Sequence, residues 1–192
     1  MSHFGGEERR PAMTKVRLAA LATLVALVAS PERDASADGP VVRIEVHKAS
    51  RTLVVVKAGA PPRSLHVALG QSPVGPKRER GDGKTPEGRY VVTHKNPKSR
   101  FHLSLGLSYP NADDARVGLA SGRISKAEHD AILAALARNE IPPQNTALGG
   151  DIFVHGGGTD GDWTRGCVAL DDTTMDDLFA TVPAGTPVTI EP

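Results

Sequence analysis

Short runs of alternating apolar and polar residues, broken at close intervals by glycine and proline, limit this chain to a fold built mainly from β-strands. Val42, Ile44 and Val46 alternate with charged neighbours, and a second apolar run covers 53–56. The four residues between them, 48–51, are typical of a turn, so we predict a hairpin. With 20 Gly and 15 Pro in 192 residues, few segments are long enough for extended helices.

The remaining elements follow from the same patterns. Further strands are predicted at 64–69, 90–93, 101–105, 152–154 and 187–190, and the Gly- and Pro-rich stretch 72–88 is predicted to be a loop. A capping box at Ser125 and Glu128 begins a helix that continues to Ala137. Its apolar stripe consists of Ile132, Leu133 and Leu136.

A second helix is predicted to begin near Asp172, with Met175, Leu178 and Phe179 facing inward. The chain is long enough for one well-packed domain and too short to favour two. The predicted class is therefore a single β-rich α+β domain, with mixed β-sheets forming a sandwich and two short helices.

Residues 1–37 are predicted to be an N-terminal extension and a secretory signal peptide. Lys15 and Arg17 precede the apolar segment 18–29, and small residues follow at 35–37. The apolar segment is shorter than the roughly 20 residues that a membrane-spanning helix requires. We predict cleavage after Ala37, export to the periplasm or cell-wall compartment, and a folded domain over 38–192; an uncleaved signal that tethers the chain is the alternative.

The charge pattern argues against a nucleic-acid partner. The net charge is +1, and the basic residues are interspersed with acidic ones along the whole chain. We expect a monomer.

Cys167 is the only cysteine, so it has no partner for an internal disulfide in the oxidising compartment to which an exported chain goes. Free cysteine is often buried and inert, but the neighbours of Cys167 favour a reactive thiol. Gly166 allows a tight turn just before it. His155 follows the predicted strand 152–154 and precedes three glycines, so we expect it to be well exposed to a cleft.

This pairing is typical of an enzyme that attacks peptide amides. The Cys167 thiolate is the predicted nucleophile, and His155 is the base that activates it. The N–H groups of Gly166 and Cys167 are predicted to form an oxyanion hole, in which each donor typically contributes about 3 to 4 kcal/mol.

Other polar residues in this segment receive simpler interpretations. Trp163 is predicted to pack under the active-site loop, and Asp160 and Asp162 to make local turns. A zinc site built from His155, Asp160 or Asp162, and Cys167 is a weaker alternative, because it lacks a usual ligand set.

At these residues the chain resembles the YkuD-type L,D-transpeptidases of bacterial cell walls. The His-Gly segment and the Thr-Arg-Gly-Cys turn carry the resemblance, together with the Gly-Asp-Gly-Lys-Thr-Pro-Glu-Gly element at 81–88. The segments Ser99–Ser104 and Ser108–Asn111 are similar to the murein-specific branch of the family. The resemblance extends from about Val41 to the C-terminus.

The resemblance implies a role for each matching residue. Cys167 would be the acylated nucleophile and His155 its base, with the Gly156 carbonyl holding the imidazole. Gly166 and Cys167 would supply the oxyanion N–H groups. The substrate pocket would include Thr164, Arg165 and Trp163, and one of His94 and His102 would border the groove for the stem peptide.

The implied reaction is attack on a peptidoglycan stem peptide, release of D-alanine and acyl transfer to an amine, without a metal or organic cofactor. Arg165 stands where many members have a second histidine, and Ala169 where many have arginine or asparagine, which leaves donor specificity open. Some members of the murein-specific branch hydrolyse instead. A carboxypeptidase, endopeptidase or amidase that detaches a wall-attached envelope protein is therefore the alternative, and an inactive wall-binding module is the lesser one.

Overall fold

Eight strands and three helices make up the part of the chain that the computed structural model describes, residues 1–3 and 41–192. The strands are β1 (Val41–His47), β2 (Thr52–Lys57), β3 (Arg63–His66), β4 (Gly88–Asn96), β5 (Ser104–Leu107), β6 (Phe153–His155), β7 (Val168–Ala169) and β8 (Pro187–Glu191). The helices are α1 (Ala112–Ala120), α2 (Lys126–Ala137) and α3 (Asp172–Thr181). The predicted signal segment and its cleavage site lie outside the described residues. Among those described, no helix has both the length and the apolar character to cross a bilayer.

The strands form one mixed sheet in the order β3-β2-β1-β8-β4-β5-β6-β7. The pairs β1–β8 and β6–β7 are parallel, and the other neighbours are antiparallel. Strand β4 joins the two halves, because Gly88–Val91 pairs with β8 whereas its later residues pair with β5. The predicted β-rich α+β class is confirmed, as are the first hairpin and the closing strand.

The main core is built from the inward faces of these strands and from α3. Alternation places Ile44 and Val46 of β1 beside Leu53 and Val55 of β2, all almost fully buried. Val154 and Val168 are fully buried, one residue away from His155 and Cys167 respectively. The two candidate catalytic residues therefore stand directly on the core.

Helices α1 and α2 pack on each other over a smaller apolar cluster of Ala115, Ile124, Ile132 and Leu148. The sequence prediction missed α1, which begins with a capping box at Asn111 and Asp114. Its buried residues are Asp114, Ala115 and Gly118, so it carries no stripe of large apolar side chains that would reveal it. In α2, Ile132 is buried as predicted, but Leu133 is 36% exposed and lies off the apolar stripe.

The predicted strand at 101–105 is displaced toward the C-terminus. The ladder with β4 and β6 begins at Ser104 and continues to Leu107, and residues 99–103 form a loop in front of it. His102 has a φ of 66°, a left-handed conformation that interrupts a strand. Strand β7 was also not predicted, because its two residues are recognisable only through their pairing with β6.

Candidate active site

Cys167 and His155 both line one cleft of about 950 Å³. Its walls come from the loop before β5, the end of β6, the turn before β7 and two loops around residues 77–81 and 149–151. Cys167 is partly exposed, and its Sγ lies 3.5 Å from the Asp151 carbonyl oxygen, to which the S–H donates. The cleft therefore brings together the two residues that the sequence predicted as nucleophile and base.

The hydroxyl group of Thr164 holds the backbone of the Cys167 turn. Thr164 Oγ1 donates to the Cys167 carbonyl oxygen over 2.8 Å and accepts from the Gly166 N–H over 3.1 Å. Gly166 has a φ of 130°, and a Cβ at this position would lie 2.7 Å from the Lys84 carbonyl oxygen. Glycine is therefore required here both by the backbone conformation and by the close approach of the 81–88 loop.

This arrangement corrects the predicted oxyanion hole. The Gly166 N–H is already bonded to Thr164 Oγ1, so it braces the turn and does not point at a substrate oxygen.

Two residues that the sequence analysis did not single out support the turn, Thr85 directly and Lys48 through Thr85. Thr85 is fully buried, and its Oγ1 lies 3.5 Å from the Cys167 carbonyl oxygen and 2.9 Å from the Gly70 nitrogen. Lys48 is also buried, and its Nζ donates to the Thr85 and Gly75 carbonyl oxygens and to Glu87 Oε1 over 2.7 to 3.0 Å. The Thr-Pro-Glu-Gly motif was the available signal for Thr85 and Glu87. Lys48 gave none, because it looked like an ordinary turn residue.

His155 ends β6 with its imidazole in a fixed orientation. The Nδ1 atom lies 2.6 Å from the Gly156 carbonyl oxygen, so Nδ1–H donates and Nε2 is the nitrogen that can accept a proton. This geometry is the one that the resemblance implied for Gly156. The residue is only 3% exposed, however, and the expectation of a well-exposed histidine was wrong.

The imidazole is buried by aromatic rings. Phe101 stacks on it with a centroid distance of 4.8 Å and an interplanar angle of 22°, and Trp163 approaches edge-on at 5.6 Å. Trp163 lines the cleft, and its Nε1–H donates to the Gly158 carbonyl oxygen over 3.1 Å. The predicted packing role of Trp163 thus agrees with its contacts, whereas Phe101 was predicted only as a strand residue.

Burial keeps both members of the pair neutral at physiological pH. Desolvation raises the pKa of the Cys167 thiol to about 11, with a further contribution from Asp151, although the Phe153 N–H and Lys77 act in the opposite direction. Desolvation also lowers the pKa of His155, and the hydrogen bond to the Gly156 carbonyl only partly offsets it. Both pKa shifts favour a neutral thiol and a neutral imidazole in the same cleft.

Some of the remaining predicted pocket residues line the cleft, and the others make contacts within the fold. Thr164 and the exposed Arg165 line the cleft, but His94 and His102 are not among its lining residues. His94 Nδ1 lies 2.9 Å from Thr93 Oγ1, and its ring packs edge-on against Phe153. His102 Nε2 lies 2.6 Å from Asp176 Oδ1 on α3. Internal contacts thus occupy both histidines.

Ala169 does not reach the cleft either. It is fully buried in β7 and exchanges backbone hydrogen bonds with Ala68. A longer polar side chain at this position would begin at a buried Cβ atom beneath Cys167. Because alanine occupies the position, other residues form the wall of the cleft.

Five cationic side chains line the cleft, whereas Asp151 is the only carboxylate among its lining residues; the cations are Lys77, Arg80, Lys98, Arg100 and Arg165. Lys77 is neutralised by Asp82, with Nζ to Oδ1 at 2.8 Å. The other four leave the cleft with an excess of positive charge, which suits a ligand that carries carboxylates.

Asp162, one of the residues of the zinc alternative, is bound to other groups of the protein. Asp162 forms a two-point contact with the Arg51 guanidinium at 2.6 and 3.1 Å and accepts from the Leu69 N–H, so its role is a long-range tie rather than the local turn that was predicted. Within residues 1–3 and 41–192, no group of three or more His, Cys, Asp or Glu side chains is arranged to hold a metal ion.

Comparisons with known proteins identify the family of this chain. A stretch of 86 residues is 35% identical to the protein YafK of Escherichia coli, whose name assigns it provisionally to the L,D-transpeptidases; the match covers 42% of this chain and 35% of YafK. The crystal structure of the helical cell shape determining protein Pgp2 from Campylobacter jejuni superposes with a TM-score of 0.51 at 22% identity. A variant of the same protein gives 0.52 at 23%.

Both superpositions cover 80% of this chain and 48% of Pgp2, so the chain spans about half of that protein and about a third of YafK. The likeness to Pgp2 concerns the fold. The sequence profile of the YkuD family, the L,D-transpeptidase catalytic domain, matches residues 41–190. The chain therefore belongs to the YkuD family of L,D-transpeptidase catalytic domains.

Proposed function

We propose that this protein is an exported cysteine L,D-transpeptidase that acts on peptidoglycan stem peptides. The observation that carries the proposal is a neutral Cys167 thiol in the same cleft as an imidazole whose Nδ1–H is bound by the Gly156 carbonyl. That arrangement leaves Nε2 as the acceptor of the thiol proton. Export follows from the predicted signal peptide and from the location of the substrate outside the cytoplasm.

The reaction begins with proton transfer from Cys167 to His155 as the sulfur attacks the amide carbonyl carbon. The raised thiol pKa makes a resting ion pair unfavourable, so the transfer accompanies the attack. The negative oxygen of the tetrahedral intermediate is stabilised by the Cys167 N–H, whose position is set by the Thr164 and Thr85 contacts to the Cys167 carbonyl. The imidazolium then protonates the leaving amine, D-alanine, and a thioester remains.

The second half of the reaction transfers the acyl group to an amine of another stem. His155, neutral again after the first product leaves, accepts a proton from the attacking amine, and it returns that proton to the Cys167 sulfur as the thioester bond breaks. The positive cleft supports a substrate of this class, because stem peptides carry carboxylates beside the amide that is cut. If water replaces the amine, the same steps give hydrolysis.

Product analysis tests the proposal. Residues 38–192 are incubated with purified muropeptides, and the products are resolved by mass spectrometry. We expect the loss of terminal D-alanine together with cross-linked or exchanged products. Cys167→Ala should abolish both and should also abolish acylation by a carbapenem, whereas Lys126→Met, at an exposed position on α2, is the control for handling and folding.

Each other result points to a different function. Shortened monomers without cross-links would replace the transferase with a hydrolase. Unchanged muropeptides, together with an unreactive Cys167, would leave a wall-binding module.

A further inference from the structure

The segment Ser99–Ser104 surrounds His155 without supplying a reacting group. We propose that Phe101 is a positioning residue for His155 and that the rest of this segment serves to hold its ring over the imidazole. The inference deepens the proposed function, on which it rests, by naming what keeps the base neutral and correctly oriented.

The three rings at this site form one contact group. Phe101 lies nearly parallel to the imidazole at 4.8 Å and meets Trp163 edge-on at 5.3 Å, while Trp163 meets the imidazole at 5.6 Å. Phe101 is 36% exposed and lines the cleft, whereas His155 is 3% exposed. The phenyl ring therefore stands between the imidazole and the solvent of the cleft.

Ser99, Leu103 and Ser104 hold the backbone of the loop that carries Phe101. Ser99 Oγ accepts from the Phe101 N–H over 3.1 Å. The Leu103 carbonyl oxygen accepts from the Gly156 N–H over 3.2 Å, and Ser104 pairs with His155 in the β5–β6 ladder. The loop is thus bonded to the same residues that orient the imidazole.

A bond to α3 anchors the loop from outside. His102 Nε2 lies 2.6 Å from Asp176 Oδ1, and this hydrogen bond is the main reason that the pKa of His102 is raised. One turn earlier on the helix, Asp172 Oδ1 accepts from the Gly157 N–H over 2.8 Å. Helix α3 therefore holds both the Phe101 loop and the glycines that follow His155.

The physical consequence is control of the protonation of His155. Desolvation is the main cause that lowers its pKa, and the phenyl ring, together with Trp163, is the part of that apolar surround that lines the cleft. Arg100 lies over the Phe101 ring with its Cζ 5.4 Å from the centroid, and Cys167 and Arg165 line the same cleft as the imidazole. His102 in the same loop and Asp176 on α3 are bound to each other, and Asp172 is bound to the Gly157 N–H. Without the ring, water would reach the imidazole and favour its charged form, which cannot accept the thiol proton.

The test compares Phe101→Ala with the full-length wild type by measuring the rate of Cys167 acylation by a carbapenem between pH 5 and 8. We expect a loss of roughly three- to tenfold at pH 6, the size of one aromatic contact, and a smaller loss at pH 8. The acid limb of the profile should move to higher pH. Phe101→Tyr should restore the wild-type profile, and Leu133→Ala, which removes an equally exposed apolar side chain on α2, should have no effect.

A second measurement makes the inference independent of activity. In a Cys167→Ser background, the His155 imidazole is titrated by NMR with and without Phe101→Ala, and we expect the substitution to raise its pKa. An unchanged His155 pKa, or an acylation rate lowered equally at every pH, would overturn the inference. If wild-type Cys167 does not react at all, the proposed function fails, and the NMR titration still decides the role of Phe101.

Discussion

Cys167 and His155, the proposed nucleophile and base, line one cleft, but the protein holds them by different means. The Cys167 turn is held through its backbone by hydroxyl and ammonium groups, namely Thr164, Thr85 and the buried Lys48 behind them. The His155 imidazole is held by a single backbone acceptor and by two aromatic rings. One side of the site is polar and the other is largely apolar.

The difference corresponds to what each residue has to do. An oxyanion hole needs an N–H at a fixed position, and directional hydrogen bonds to the backbone provide that. A general base needs a suitable pKa, and exclusion of water by apolar rings provides that. The contrast predicts that replacing the polar residues around Cys167 changes the stability of the protein and the geometry of the turn. Replacing the aromatic residues around His155 should instead shift the pH profile of Cys167 acylation.

The largest expected effect tests whether the resting thiol is neutral. Because burial raises the pKa of Cys167 to about 11, the thiolate fraction should grow about tenfold per pH unit from pH 7 upward. Alkylation of the native protein by iodoacetamide should follow this rise to near pH 10. For the same chain unfolded in urea, the alkylation rate should level off near the ordinary thiol pKa of about 8.5. A native profile that levels off below pH 9 would indicate a preformed ion pair and would break the comparison.

The next effect concerns the buried cation behind the nucleophile. Lys48→Met leaves the partly buried Glu87 carboxylate without its partner and removes two bonds to loop carbonyls, so we expect a loss of about 3 kcal/mol in the free energy of unfolding. Urea denaturation at pH 7 measures it. Lys126→Met, which breaks an exposed pair with Asp130 on α2, is the matched control and should cost about 0.5 kcal/mol or less. A similar loss of unfolding free energy in both variants would mean that the buried contacts of Lys48 stabilise the protein no more than an exposed ion pair does.

The smallest effect isolates one hydroxyl group. Thr164→Val keeps the side-chain shape but removes the partly buried bond to the Cys167 carbonyl and the buried bond from the Gly166 N–H, and it should cost about 1 to 2 kcal/mol. Carbapenem acylation should slow without a change in the shape of its pH profile. Thr164→Ser retains the hydroxyl and should recover most of both properties. A shifted profile in Thr164→Val would show that the two sides of the site are not separate.

The sequence analysis succeeded where the signal was local. The hairpin of β1 and β2, the capping box of α2 and the acidic start of α3 depend on spacings of two to four residues, which side-chain periodicity and capping chemistry reveal directly. Helix α1 was missed because the residues it buries are small or charged. The exposure of His155 was misjudged because a glycine-rich turn indicates access for the backbone and says nothing about rings brought in from another loop.

By itself the sequence determined the family and predicted Cys167 as the nucleophile and His155 as its base, because a single cysteine, a histidine before glycines and the Thr-Pro-Glu-Gly motif are each continuous in the chain. Only the tertiary structure decided which groups support them. Thr85 reaches Cys167 across 82 positions, and Lys48 reaches Glu87 across 39. Phe101 covers His155 only because β5 pairs with β6. Such contacts form when distant segments pack together, so no spacing along the chain encodes them.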